Sequence, residues 1–274
     1  MKFYSAAGLV LAGFIGTAAS AFAGPTLDRV TKAGELVNVV DNSYPPFSYI
    51  NENNEVVGFD IDIAKAVADR LGVKLRIETP GWETIVGGKW QGRWDICICS
   101  MTPTEQRAQV LDFPLEYYRS PAVLVVNKDE KAIQSAADLD GKRVGVGTGS
   151  TYEAYLDKSI VIPGTKPIDF PFKSVIKVPT DETVAFQDLA LGAGVRLDAV
   201  VANLATTKER IDAGAPVKIV GKPLYGEPNW IALDKGDAEW NAKVVETINA
   251  LKADGTLKAI STKWLGADVT AGDF

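Results

Sequence analysis

One stretch of this chain, Trp94–Arg107, limits the possible fold more than any other. An apolar run from Ile96 to Cys99 stops at a polar corner, which is typical of a strand buried on both faces in a parallel sheet. Thr102 and Glu105 then have the spacing of a capping box, with proline at the first helical position. The stretch therefore predicts a strand that runs directly into the N-terminus of a helix.

The residues at this corner suit a small anion. The free N–H groups and the dipole of a helix N-terminus attract negative charge. Ser100 and Thr102 add hydroxyl groups, and Arg107 adds a forked donor that matches a carboxylate. Taken alone, however, the same residues fit an ordinary capped helix with a surface arginine.

Strands and helices alternate along the rest of the chain, which predicts an α/β fold. A helix that begins near Phe59 has one apolar face and ends at Gly72. A second strand leads to Ser150 and Glu153, which repeat the capping-box spacing. Ligands of open α/β sheets lie at the carboxyl ends of strands, so two such corners predict a cleft between two lobes. The predicted strands span 34–40, 73–77, 96–99, 122–127, 143–146, 174–178 and 197–201, and the predicted helices include 83–91, 182–191, 238–251 and 256–264.

The first 23 residues have the pattern of a secretory signal peptide. Lys2 supplies the positive start, Leu9–Ile15 is apolar, and Ala21–Ala23 is a small-x-small cleavage site. No later run is long and apolar enough to span a bilayer. We therefore expect an exported protein that is cleaved after Ala23.

Composition excludes several function classes. The net charge is −6 with no basic cluster, which disfavours nucleic acid and anionic membranes as partners. The chain has no histidine, so histidine-based catalysis and the commonest metal ligand are excluded, and we expect neither a metal nor another cofactor. Cys97 and Cys99 are the only cysteines, and we expect two buried thiols because a bond between them would be strained.

Further motifs extend over nearly the whole exported chain. They are Tyr44-Pro45-Pro46-Phe47, Gly58-Phe59-Asp60-Ile61-Asp62, Ser100–Arg107, Asp112-Phe113-Pro114, Asp138–Val146, Leu197–Val201, Asp254–Leu257 and Lys263-Trp264. With these motifs in this order, the chain resembles the family 3 extracellular solute-binding proteins, the polar amino acid receptors of ABC importers. The resemblance implies the type II periplasmic binding protein fold, in which two hinge strands join two α/β lobes. It places lobe one at residues 24–121 and 221–274 and lobe two at residues 122–220.

The same resemblance implies roles for individual residues. Ser100, Thr102 and Arg107 occupy the positions that hold the ligand's α-carboxylate. Thr151, with Ser150 beside it, matches a donor to that carboxylate from the second lobe. The positions that meet the rest of the ligand are Tyr44 and Trp82 along its stem, with Phe47 packed beneath, and Asp41 at its side chain.

One position departs from the family pattern. Asn203 stands where the family usually has an aspartate that pairs with the ligand's α-ammonium. A hydrogen bond to a charged group is worth roughly 1.5–3 kcal/mol, against about 1 for a neutral one. We therefore expect a ligand with a substituted or absent amine, such as an opine-like conjugate or a cyclic amino acid. A neighbour such as Asp41 that supplies the charge, and an ordinary amino acid bound by Asn203, are the alternatives.

The resemblance implies a periplasmic, monomeric receptor that closes around its solute and delivers it to inner-membrane permease subunits. The alternative is an exported enzyme similar to cyclohexadienyl dehydratase, for which Glu83 and Asp41 would be the candidate acids. A nucleotide-binding role for Gly145, Gly147 and Gly149 fails because Ser150 stands at the third glycine position of that motif. A receptor's sensing domain would require a following transmembrane segment.

Overall fold

The computed structural model describes residues 25–270, so the predicted signal peptide lies outside the described residues. The helices are α1 (Pro25–Ala33), α2 (Phe59–Leu71), α3 (Trp82–Val86), α4 (Thr151–Leu156), α5 (Glu182–Ala190), α6 (Leu204–Asp212), α7 (Ala238–Ala253) and α8 (Thr256–Leu265). The strands are β1 (Glu35–Val39), β2 (Ser43–Tyr44), β3 (Ser48–Ile50), β4 (Val56–Val57), β5 (Lys74–Glu78), β6 (Cys97–Met101), β7 (Leu111–Asp112), β8 (Glu116–Asn127), β9 (Arg143–Gly147), β10 (Ile176–Thr180), β11 (Ala199–Asn203) and β12 (Val217–Asp234).

Two long antiparallel strands, β8 and β12, run through both halves of the molecule. Their pairing extends from Val217 opposite Asn127 to Trp230 opposite Glu116, with a register shift after Val220. At one end they join β11, β9 and β10, and at the other end β12 pairs with β6. Strands β1 and β5 form a parallel pair beside the stretch that leads into β6.

The buried apolar side chains form separate cores on either side of these two strands. One set packs α2, α7 and α8 against the first half of the chain, around Phe59 and Trp240. The other set packs α4 and α5 against β9 and β11, around Tyr155 and Phe186. The architecture is therefore two α/β lobes joined by two strands.

Several local predictions are confirmed. Gly72 ends α2 in the left-handed conformation, with φ of 72°. Ser150 is the N-cap of α4, and its hydroxyl accepts a hydrogen bond from the Glu153 N–H. Helix α3 is shorter than predicted, because Gly88 and Lys89, which follow the C-cap residue Gly87, adopt positive φ angles.

The helix predicted after Thr102 is wrong. Strand β6 ends at Met101, Thr102–Thr104 have no regular secondary structure, and a single 3-10 turn forms at Arg107–Gln109, where the Thr104 hydroxyl accepts from the Arg107 N–H. The intervening Glu105 N–H donates to the Val161 carbonyl of the second lobe at 3.1 Å. This segment therefore contacts the other lobe instead of continuing as a helix.

The expectation of two separate thiols is also wrong. Cys97 and Cys99 lie on one face of β6 and are joined in a disulfide. Their Cα atoms are 5.2 Å apart, within the range that disulfides span, so residues two apart in an extended strand can be bridged.

Between Pro25 and Thr270, none of the helices has the length and apolar character that a membrane span requires.

Candidate functional site

A cavity of about 330 Å³ lies between the two lobes, where β6, β9 and β10 end. Residues from both lobes and from β12 line it. Of the nine predicted site residues, eight line the cavity, namely Asp41, Tyr44, Trp82, Ser100, Thr102, Arg107, Ser150 and Thr151. The structure thus brings together the two corners that the sequence analysis placed at strand ends.

Arg107 is the cationic side chain of this cavity. It is 7% exposed and forms no ion pair with any residue of the described part of the chain. Its Nη1 donates to the Thr102 carbonyl at 2.9 Å, and its Nη2 donates to the Gly149 carbonyl of the second lobe at 3.0 Å. Burial lowers the pKa of Arg107 to about 10, so the guanidinium stays charged at neutral pH.

Ser100 is held from behind by a buried carboxylate. The residue has a positive φ of 56°, and its hydroxyl donates to Asp60 Oδ2 at 2.7 Å. The Tyr117 hydroxyl donates to the other oxygen of Asp60 and accepts from the Ser100 N–H. Burial raises the pKa of Asp60 to about 7. Because the Ser100 hydroxyl proton is donated to Asp60, the hydroxyl can offer the cavity only its oxygen, which is an acceptor. In this arrangement the Ser100 side chain does not donate to a ligand carboxylate, in contrast to the role expected from the resemblance.

Thr151 begins α4 and points to Glu227 of β12. Its hydroxyl donates to Glu227 Oε1, and the Tyr152 hydroxyl donates to Oε2 at 2.8 Å. Glu227 is 3% exposed and lines the cavity. Burial raises the pKa of Glu227, while the two hydroxyls, and the charge of Arg107 after them, act in the opposite direction.

Aromatic side chains line the wall between these groups. The Trp82 ring lies 5.3 Å from the guanidinium carbon of Arg107, and its Nε1 donates to the Gly149 carbonyl at 3.2 Å. Tyr44 and Tyr152 bring their hydroxyls to 3.3 Å from opposite lobes. Phe47 is fully buried and stacks on Tyr44 with ring centroids 5.0 Å apart, as predicted for a residue packed beneath the site.

A third part of the cavity is acidic. Asp41 on lobe one and Asp181 on lobe two both accept from the Ser43 hydroxyl, at 2.7 and 3.0 Å. Asp181 also caps α5, and Glu182 follows it. Oε1 of Glu182 is buried without a hydrogen-bond partner among the described residues. Burial raises the pKa of Glu182 to about 8; Arg210 opposes this rise, and Asp41, Asp181 and Glu227 add to it.

Asn203 does not line the cavity. It is 1% exposed and is the N-cap of α6, where its Oδ1 accepts from the Ala205 N–H at 2.8 Å. The same oxygen accepts from the Ser120 hydroxyl at 2.9 Å. The side chain is therefore occupied within the second lobe and the hinge strand, instead of facing a ligand.

The residues of the cavity that the sequence analysis missed include four with ionisable side chains, namely Tyr152, Asp181, Glu182 and Glu227. Asp181 and Glu182 follow a predicted strand and open a predicted helix, so the rule that found the other corners could have found this one. Glu227 lies within the 18-residue strand β12, and no motif marks it. Within residues 25–270, no group of three or more Cys, Asp or Glu side chains is arranged to hold a metal ion.

Comparison with known proteins agrees with this geometry. The sequence profile of the bacterial extracellular solute-binding proteins, family 3, matches residues 36–267. The L-cystine-binding protein TcyJ of Escherichia coli strain K12 is 29% identical over 246 residues, which are 89% of this chain and 87% of that protein. A solved ancestral arginine-binding protein bound to glutamine has 37% identity and a TM-score of 0.73, covering 85% of this chain and 98% of its own. The ancestral amino acid-binding protein AncCDT-1, a precursor of cyclohexadienyl dehydratase, has 31% identity and a TM-score of 0.76, covering 88% and 99%.

Proposed function

Because this chain belongs to the bacterial extracellular solute-binding proteins of family 3, we propose that it captures an amino acid for an ABC importer. It works in the periplasm as a monomer, after removal of the first 23 residues, and delivers its ligand to inner-membrane permease subunits. Residues 24–121 with 221–274 act as lobe one and residues 122–220 as lobe two. The lobes close around the ligand by bending at β8 and β12.

The observation that carries this proposal is the position of Arg107. A charged guanidinium, buried in the cleft and without an ion pair in the described residues, requires an anionic partner. A ligand carboxylate supplies one, and the Thr102 hydroxyl lies in the same cavity. Since Arg107 and Trp82 both donate to the Gly149 carbonyl, the residues that hold the ligand also hold the lobes together.

The acidic part of the cavity indicates the class of amino acid. Asp41, Asp181 and Glu182 gather where the side chain of the ligand would end, and a carboxylate oxygen of Glu182 has no partner there. A positively charged nitrogen in this place would pair with Glu182 and relieve the repulsion among the acids. L-Arginine, L-lysine and L-ornithine have a cationic far end, and the far end of L-cystine has an ammonium group together with a carboxylate. The names of the cystine-binding and arginine-binding relatives are in accord with this class.

We propose binding and not catalysis. AncCDT-1 is described as an amino acid-binding precursor of a dehydratase, so similarity to it agrees with a receptor. Asp41, one of the two candidate acids, already accepts two hydrogen bonds from Ser43. Incubation with prephenate or arogenate should give no aromatic product, and product formed in proportion to protein concentration would contradict the proposal.

The direct test is a thermal-shift screen of the protein without residues 1–23 against the common L-amino acids, L-ornithine and L-cystine. A ligand that binds the folded state raises the melting temperature by mass action. We expect the largest rise with a ligand whose far end is cationic, and isothermal titration calorimetry should give one site per chain. If no compound of the panel changes the melting temperature, the proposed function is wrong.

A further inference from the structure

Glu227 is a buried acid of the ligand cavity, and the proposed binding of the ligand's carboxylate at Arg107 does not require it. It lies in the middle of β12, between the two lobes, and lines the ligand cavity. Its two carboxylate oxygens accept from Thr151 and Tyr152, the first residues of α4. An acid at 3% exposure usually has a cation beside it, yet Glu227 forms no ion pair with any residue between Pro25 and Thr270.

The position of Glu227 is linked to that of Asn203. In the pairing of β12 with β8, Glu227 lies directly opposite Ser120. The Ser120 hydroxyl in turn donates to the side chain of Asn203. The charge that the family usually has at position 203 is therefore absent from β11, while a carboxylate stands on β12, on the other side of β8.

We infer that Glu227 is the residue that pairs with the α-ammonium of the ligand, in the role that Asn203 cannot fill. The inference rests on the proposed function and adds to it that the ligand has a free, unsubstituted ammonium group. It replaces the expectation, drawn from Asn203 alone, of a ligand with a modified or absent amine.

The groups around Glu227 fit the ligand's ammonium group better than its carboxylate. Ser100 lines the same cavity as an acceptor, because its proton is donated to Asp60. An ammonium has three N–H donors, so it can use both the Ser100 oxygen and the Glu227 carboxylate. Thr151 and Tyr152 hold that carboxylate from the second lobe, while Arg107 remains without an ion pair among the described residues and available to the ligand's carboxylate.

In the alternative role, the carboxylate of Glu227 itself takes the place beside Arg107 that the ligand's carboxylate would otherwise occupy. In that case Glu227 would act as a built-in competitor of the ligand's carboxylate, and its removal would strengthen binding. The two roles predict opposite signs for the same substitution, so a single variant separates them.

The test compares Glu227→Gln with wild type by calorimetry, using amino acids that the wild-type protein binds and their 2-hydroxy analogues. For L-arginine the analogue is argininic acid, which keeps the carboxylate and the guanidinium and lacks the ammonium. We expect E227Q to weaken binding of the amino acid about 10-fold or more, since a charged hydrogen bond is lost, and to change binding of the 2-hydroxy analogue less than about 3-fold. Glu83→Gln, which removes another acid of the cavity wall, is the matched control and should not discriminate between the two probes.

Equal losses for both probes, no loss for either, or tighter binding by E227Q would overturn the inference. The melting temperature of ligand-free E227Q shows whether the variant is folded. If it is unfolded, Glu227→Asp replaces it, because a shorter carboxylate keeps the charge and changes its reach, and the inference again requires a larger loss for the amino acid than for its analogue. Failure of the proposed function itself is distinguishable, because then the wild-type protein binds no amino acid of the panel.

Discussion

The corner of lobe one at Ser100–Arg107 and the corner of lobe two at Thr180–Glu182 face the same cavity, but they are built differently. The first has no α-helix and carries a buried cation whose donors meet backbone carbonyls. The second opens helix α5 with Asp181 as its cap and carries carboxylates. The first corner thus suits the carboxylate that all amino acids share, and the second suits the side chain that distinguishes them. On the proposed function, Arg107 of lobe one therefore binds the carboxylate common to all amino acids, and Glu182 of lobe two contributes to selection by the ligand's side chain.

The largest effect is expected from the lobe-one corner. Arg107→Ala should weaken binding of every amino acid ligand at least about 100-fold, because two charge-assisted hydrogen bonds are worth roughly 3 kcal/mol or more. Calorimetry measures the affinity, and circular dichroism checks that the fold persists. Arg107→Lys, which keeps the charge and loses the fork, is the control and should retain part of the affinity. An unchanged affinity in R107A would remove the carboxylate assignment.

A smaller and selective effect is expected from the lobe-two corner. Glu182→Gln should weaken binding of a ligand with a cationic far end about 10-fold, because the Glu182 carboxylate loses its charge. The same substitution should leave a neutral ligand such as L-glutamine unchanged or bound more tightly, since repulsion among Asp41, Asp181 and Glu182 is reduced. Equal losses for L-arginine and L-glutamine would show that the lobes do not divide recognition in this way.

The contrast between the corners also explains what the sequence could predict. Ser100, Thr102 and Arg107 belong to one continuous stretch after a buried strand, and Ser150 and Thr151 belong to another, so local patterns were sufficient to bring them together. The helix at Pro103 was predicted wrongly because the segment contacts the second lobe through the Glu105 N–H, a long-range interaction that local spacing does not contain.

Glu227 and Asn203 illustrate the remaining limit. The spacing after Leu197–Val201 located Asn203 correctly at the end of β11, and its place as a helix cap follows from its residue type. That its side chain turns to Ser120, and that Glu227 lines the cavity instead, depends on how β8 pairs with β12 across about a hundred residues of chain. The residues near either strand do not indicate which residues will pair across such a long separation in the chain.

A pH titration sharpens the comparison further. The pKa of Glu182 is raised to about 8 in the structure without ligand, so much of the carboxyl is protonated at pH 7. A cationic ligand favours the charged form, and binding therefore becomes tighter as pH rises from 6 through 8 and then levels off. Affinity for L-arginine should increase several-fold over this range in wild type and by a smaller factor in E182Q, where Asp60, whose pKa burial raises to about 7, still titrates. R107A should keep the wild-type slope at lower affinity. A slope in E182Q equal to that of wild type would assign the titration to another acid.

The smallest effect is expected at Asn203, and its substitution tests whether this residue lies outside the ligand site. If position 203 faced the ligand, Asn203→Asp would add the missing negative charge and tighten binding of an ordinary amino acid about 10-fold. In the structure the Asn203 side chain accepts from Ala205 and Ser120, and aspartate can accept both bonds and cap α6 equally well. We therefore expect N203D to change affinity less than about 3-fold and to lower the melting temperature, because the side chain is 1% exposed and the substitution buries a charge. A tenfold gain by calorimetry would mean that the residue turns into the cavity in the liganded state, and that the ammonium site is shared between Asn203 and Glu227.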